Sequence, residues 1–324
     1  MRRLFPLTVA ALAAAAVLAA CGTPSSASPD GAASADGPLT PVTVGVIPIV
    51  DVAPIYLGVQ TGIFEDHGLD VTLELAAGGA AIVPAVADGE YQFGFSNVTS
   101  LLTASSQGLP LKVVAPGNFS TGEPGKDFSA VVAPADSDIT GVADLAGKTV
   151  AVNSFKNIGD TTIRSVVDSA GGDPQAVEFV EMNFPDMPAA VAAGEVDAAW
   201  VVEPHLTGSV ELGARIISSN FVATDPDLLV AAYFTSDQMI AQDPQTVEAF
   251  SAAMRESLMY ATDHPDETRA VLDSYTEIDP VVRSVMIMPR FAPDLDTAYL
   301  QVVADLGLKY GAFDKPVDVT KLLP

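Results

Sequence analysis

The sequence predicts an α/β protein of two lobes, each a mostly parallel sheet flanked by helices, with a helical C-terminal tail. Three observations predict it. Short β-branched runs alternate with helical apolar spacing from Val42 onward, the same alternation resumes after Gly141, and from Pro244 to Tyr310 strand signals give way to helical ones. Alternating strands and helices imply parallel sheets covered on both faces, because each parallel pairing needs a crossover that packs back on the sheet.

In the first unit the patterns predict strands over 42–47, 71–75, 91–95 and 111–115. Between them lie helices over 54–62, 81–87 and 98–107, the last two stopped by Asp88-Gly89 and Gly108. The second unit reads as strands over 149–152, 177–181, 198–202 and 215–218. Its helices are 160–169, ended by Gly171-Gly172, and 188–193. The last strand expected is 229–235. The chain should cross between the lobes near 120–130 and again near 230.

The 324 residues carry 41 acidic and 15 basic side chains, a formal charge of −26. That balance excludes a nucleic-acid partner, since phosphates would be repelled. One cysteine and three histidines exclude a disulfide framework and leave little material for a metal site, so no metal and no cofactor is expected. At the N-terminus, Arg2 and Arg3 precede an apolar run from Leu4 to Ala20, shorter than a membrane span needs, which reads as a secretory signal over 1–20. Leu18-Ala19-Ala20-Cys21 resembles the bacterial lipoprotein motif, which would make Cys21 the lipidated first residue of the mature chain. An ordinary signal with a chance cysteine is the alternative. Residues 21–41, rich in Gly, Ser, Ala and Pro, cannot bury enough surface to fold and read as a tether.

In open α/β sheets, ligands bind beyond the carboxyl ends of the strands. The junctions to watch are Pro48–Pro54, Ser96–Thr99, Asn153–Thr161 and Val202–His205. Ser, Asn and Thr there open helices whose free N–H groups bind anions, and the same residue types also serve as plain caps. Signatures of nucleophile elbows, phosphate loops and zinc proteases are absent. His205 is the one histidine near a ligand-side loop. Asp51 and Glu203 could bind an ammonium group, act as acid and base, or bond only to backbone N–H groups.

Several segments together resemble the substrate-binding proteins of nitrate, sulfonate and taurine importers, a family that also holds binders of the thiamine pyrimidine precursor. They are the run from Ala53 to Phe64 with Gly68-Leu69-Asp70-Val71, then Phe93-Gly94-Phe95-Ser96-Asn97, then 145–152, then 193–200 with Glu203-Pro204. The resemblance implies a two-lobed fold of the type II periplasmic-binding-protein kind, with lobe 1 at 42–130 plus 235–324 and lobe 2 at 131–234. It implies ligand contacts from Ile49, Val50 and Asp51, from Ser96 and Asn97, from Ser154, Lys156, Asn157 and Asp160, and from Trp200 and Glu203. Trp200 could instead be hinge or core packing. The cysteine cluster of the family's iron-using pyrimidine synthase branch is missing.

The function so implied is that of a monomeric solute-binding protein of an ABC importer, not an enzyme. It would be exported, lipid-anchored at the outer face of the cytoplasmic membrane, and partnered by a permease with its ATPase. The expected solute is a sulfonate, a taurine-like compound or another organic acid. A pyrimidine or aromatic ligand in the same fold is the alternative, followed by an exported enzyme using Asp51 and Glu203. Asp51 in the first loop is an awkward neighbour for a bare anion.

Overall fold

Ten strands form two five-stranded sheets in a computed structural model that describes residues 37–324. The signal over 1–20, Cys21 and the tether up to residue 36 lie outside the described residues. The first sheet contains β1 (Thr40–Val46), β2 (Leu69–Leu75), β3 (Phe93–Asn97) and β4 (Leu111–Phe119). The second contains β5 (Ser129–Pro134), β6 (Thr149–Val152), β7 (Glu178–Glu181), β8 (Ala198–Val202) and β9 (Ala214–Ser218). β10 (Leu229–Ser236) returns to the first sheet.

The spatial orders are β2-β1-β3-β10-β4 and β7-β6-β8-β5-β9. In each sheet one strand runs against the rest: β10 is antiparallel to both β3 and β4, and β5 to both β8 and β9. Each reversed strand is the first one after the chain crosses between sheets, so the crossover sets its direction. The sheets are therefore mixed, with the parallel direction dominant. β5 has no counterpart in the sequence expectations. Ser129-Ala130-Val131-Val132-Ala133 is buried throughout, so it shows no alternation and reads only as an apolar run. β1 starts at Thr40, inside the stretch read as tether, because Thr40 and Pro41 already pair with Leu69 and Asp70.

Alternation along β3 shows how the helices are held. Phe93 stacks on Phe250 of the helix Pro244–Asp263 at 3.8 Å, whereas Gly94 faces Ile82 of the helix Gly79–Ala87, which leaves no room for a Cβ. Asp127 ties the two crossings together. Its carboxylate accepts from Ser120 Oγ and the N–H groups of Thr121 and Phe128 on the first, and from the N–H of Val222 on the second. The loops at the carboxyl ends of β1 and β8 meet, with the Val50 N–H donating to the Glu203 carbonyl.

Candidate functional site

Two connected hollows lie between those loops. One, of about 330 Å³, runs between Ile47, Pro48, Ile49 and Ala77 on the first lobe and Asn183, Phe184, Asp186 and His205 on the second. The other, of about 530 Å³, shares Pro48, Pro185 and His205 with it and extends to Tyr275, Ile278 and Val282 of the C-terminal region. Together they have the scale of a small-molecule cleft.

Ile49 lines this cleft, and its carbonyl accepts from the Tyr275 hydroxyl at 3.1 Å. Val50 is buried, and its N–H donates to the Glu203 carbonyl of the opposite lobe at 3.3 Å. Asp51 is buried beneath them. Its Oδ1 accepts from Asn118 at 2.9 Å while its Oδ2 has no partner. Burial pushes the Asp51 carboxyl up to about 7, against the pull of the Asn118 bond.

Ser96 is fully buried against Gly79, its hydroxyl unpartnered. Asn97 caps the helix Val98–Ser106 by accepting from Ser100 N. Asn157 and Asp160 form a reciprocal cap on the helix Ile158–Ser169: Asn157 Oδ1 accepts from the N–H groups of Gly159 and Asp160, and the Asp160 carboxylate from those of Lys156 and Asn157. Burial raises the Asp160 pKa even so. Ser154 accepts from the Asn157 amide. The Lys156 side chain is exposed and borders two further hollows beside Ala312, of about 170 and 410 Å³, the larger also lined by Asp160 and Arg164 and neither sharing a residue with the Pro48–His205 cleft.

Trp200 is packed in the core of the second lobe. Its Nε1 donates to Ser129 Oγ at 2.7 Å, its ring meets Phe184 and Phe221 edge-on, and it fills the space a side chain on Gly159 would need. The Glu203 carboxylate accepts from the N–H and hydroxyl of Thr207 and, across the lobes, from the N–H of Ile287 at 3.1 Å. Burial raises its pKa. Asp51 and Glu203 thus bond to different partners. Among the described residues no acidic, histidine or cysteine cluster could hold a metal ion, and no helix is long and apolar enough to cross a membrane.

The two sheet orders, with one reversed strand after each crossing, frame the comparison with known proteins. Residues 49–268 match the model of a family described as NMT1/THI5 like. The chain belongs to that family. It is similar to a Brucella abortus protein that carries a binding-protein name, 24% identical over 80% of this chain and 82% of that one. It is likewise similar to the formylaminopyrimidine-binding protein of Halalkalibacterium halodurans, 24% identical over 67% of this chain and 64% of that one. Among solved structures it resembles the alkanesulfonate-binding protein SsuA of Xanthomonas axonopodis pv. citri bound to MOPS, with a TM-score of 0.73, 18% identity, and coverage of 89% and 99%. The fold is that of the periplasmic binding proteins.

Sequence reasoning missed Phe184 and Pro185, which follow β7, and Tyr275, which comes from the tail. Met182-Asn183-Phe184-Pro185 occupies a strand-to-helix junction like Pro48–Pro54 and Asn153–Thr161, and that position was its signal. Tyr275 had none, since it reaches the first loop from 226 residues away. His205 does stand on the cleft. Its ring lies parallel to Phe184 at 6.2 Å, and burial lowers its pKa to about 4, so the imidazole is neutral at physiological pH.

Proposed function

We propose that this chain is the solute-binding component of an ABC-type importer, capturing a small organic molecule between its lobes and presenting it to a permease with its ATPase. It would be exported and held at the membrane by lipid on Cys21. Lobe 1 would comprise 42–130 plus 235–324, and lobe 2 131–234. The observation that carries the reading is the cleft itself: loops of two separate sheets meet across it, and Glu203 bonds to Val50 and Ile287 on the opposite lobe. A solute touching both walls would stabilise the closed arrangement over the open one, which is the differential binding that closure requires.

Ile49, with Pro48, Phe184 and His205, would touch the solute. Asp51, Asn157, Asp160, Trp200 and Glu203 would position those walls. Family relatives named as binding proteins support the reading. So does the arrangement of Asp51 and Glu203, each engaged with other partners.

The test is isolation of the protein under native conditions, denaturation, and mass analysis of what is released. The expected result is one small molecule per chain, which rebinds after refolding and returns chemically unchanged. Conversion of the rebound compound to a product would overturn the reading. In the same cells, Cys21→Ser should move the protein from the membrane fraction to the soluble one.

A further inference from the structure

We propose that the cleft accepts a largely apolar, ring-containing solute that is uncharged or carries a protonated amine, and that it rejects sulfonates and carboxylates. The inference rests on the solute-binding reading and specifies its ligand, against the organic acid that the sequence resemblance suggested.

Charge is the first argument. No lysine or arginine lines either hollow, while Asp186, Glu277 and Asp279 stand at their edges. Acidic edges alone would mean little in a chain of this composition. The interior adds a second argument, because its one basic group, His205, is neutral through burial and offers an anion no counter-charge.

Helix starts are the third. An anion without a cationic partner needs free backbone N–H groups, and around this cleft the protein's own side chains hold many of them. Asn97 occupies Ser100 N, Asn157 and Asp160 close the helix Ile158–Ser169, and the Glu203 carboxylate occupies Thr207 N. Three α-helices at the cleft start without a side-chain cap: Ala53–Gln60, Gly79–Ala87 and Met187–Ala193. The helix Ala53–Gln60 begins directly after the buried carboxylate of Asp51, Met187–Ala193 begins after Asp186 with Pro188 lacking an N–H, and at Gly79–Ala87 a Cβ on the leading Gly78 would meet Asn153 Nδ2 of the facing lobe at 3.2 Å.

Wall shape gives the fourth argument. Pro48, Pro185 and Pro204 supply rigid apolar surface, and Phe184, His205 and Tyr275 add aromatic surface. Flat apolar surfaces of this kind suit a ring, and ring faces attract a cation. A nitrate or taurine molecule would leave most of the 330 and 530 Å³ hollows unfilled.

The experiment uses the full chain, unfolded and refolded to remove carried-over solute. Benzylamine, benzamide, benzoate and benzenesulfonate share one ring and differ in charge, and are compared at equal concentration by thermal shift and calorimetry, with taurine and nitrate beside them. Binding of benzylamine or benzamide at least tenfold tighter than of the two anions is expected. In the triple variant Asp186→Asn, Glu277→Gln, Asp279→Asn, benzylamine affinity should fall about tenfold with benzamide unchanged, since only the charged probe feels the edge carboxylates. Equal or tighter binding of benzoate, benzenesulfonate, taurine or nitrate would overturn the ligand class and leave the import reading standing. Absence of binding by every probe also overturns the ring-and-charge inference. If no solute is released from the native protein either, the import reading falls with it.

Discussion

At the scale of single residues, Asp51 stands out because its carboxylate is buried with one oxygen unpaired. Asp127 adds repulsion, and the phenols of Tyr233 and Tyr275 stand near it without charge. Its folded pKa of about 7 exceeds the 3.8 of a free aspartate, so the folded state holds the proton more tightly than the unfolded one. Below about pH 4 both states are protonated and the site costs nothing. Between about pH 4 and 7 stability falls as pH rises, and above 7 the penalty is constant, on the order of 4 kcal/mol. Asp51→Asn keeps the acceptor for Asn118 and removes the charge. Its melting temperature should exceed that of the parent by several degrees at pH 8, with the gain vanishing near pH 4. A variant less stable than the parent at pH 8 would contradict this account. The sequence placed Asp51 correctly in the loop after the first strand. It could not supply Asn118, which lies 67 residues away and is brought close only by the order of strands in the sheet.

Elements were read from the sequence more fully than partners were. Periodicity located nine of the ten strands and most of the helices between them, because one buried face imposes a regular spacing. The helix Ile158–Ser169 shows where that reading stops. Ser, Asn and Gly before it signalled a helix start, and whether that start was free for a ligand or closed by its own side chains was open. Asn157 and Asp160 close it. Gly159, in the same turn, was conspicuous only as a small residue, yet Trp200 packs directly on its Cα side. Gly159→Ala should therefore destabilise the second lobe by about 1–3 kcal/mol through overpacking, despite the better helix propensity of alanine. Trp200 is the chain's one tryptophan, so its fluorescence reports the change without ambiguity. A gain in stability with an unchanged emission maximum would refute the close packing.

Across the whole molecule, the lobes meet at two kinds of contact. Beneath the cleft walls, the Glu203 carbonyl and carboxylate bind backbone N–H groups of Val50 and Ile287, with Val50 and Glu203 buried. On the outer face, the helix Thr297–Tyr310, which packs on Val98–Ser106 of the first lobe, reaches Ile158–Ser169 of the second. There Asp168 takes both Lys309 at 2.8 Å and the Tyr310 hydroxyl at 2.9 Å, and these two hold its carboxyl below the usual range. Both partners of this ion pair are solvent-exposed, so salt should weaken it far more than the buried contacts. If the outer pair helps hold the lobes together, raising the ionic strength should expand the solute-free protein, as measured by its radius of gyration in solution scattering. Asp168→Asn should reproduce that expansion at low salt, remove further response to salt, and weaken solute affinity several-fold through the dissociation rate. Loss of the pair leaves both sheets and the cleft walls intact, so the melting temperature should hardly move. Identical scattering and affinity in Asp168→Asn and its parent would assign closure to the Glu203 contacts alone.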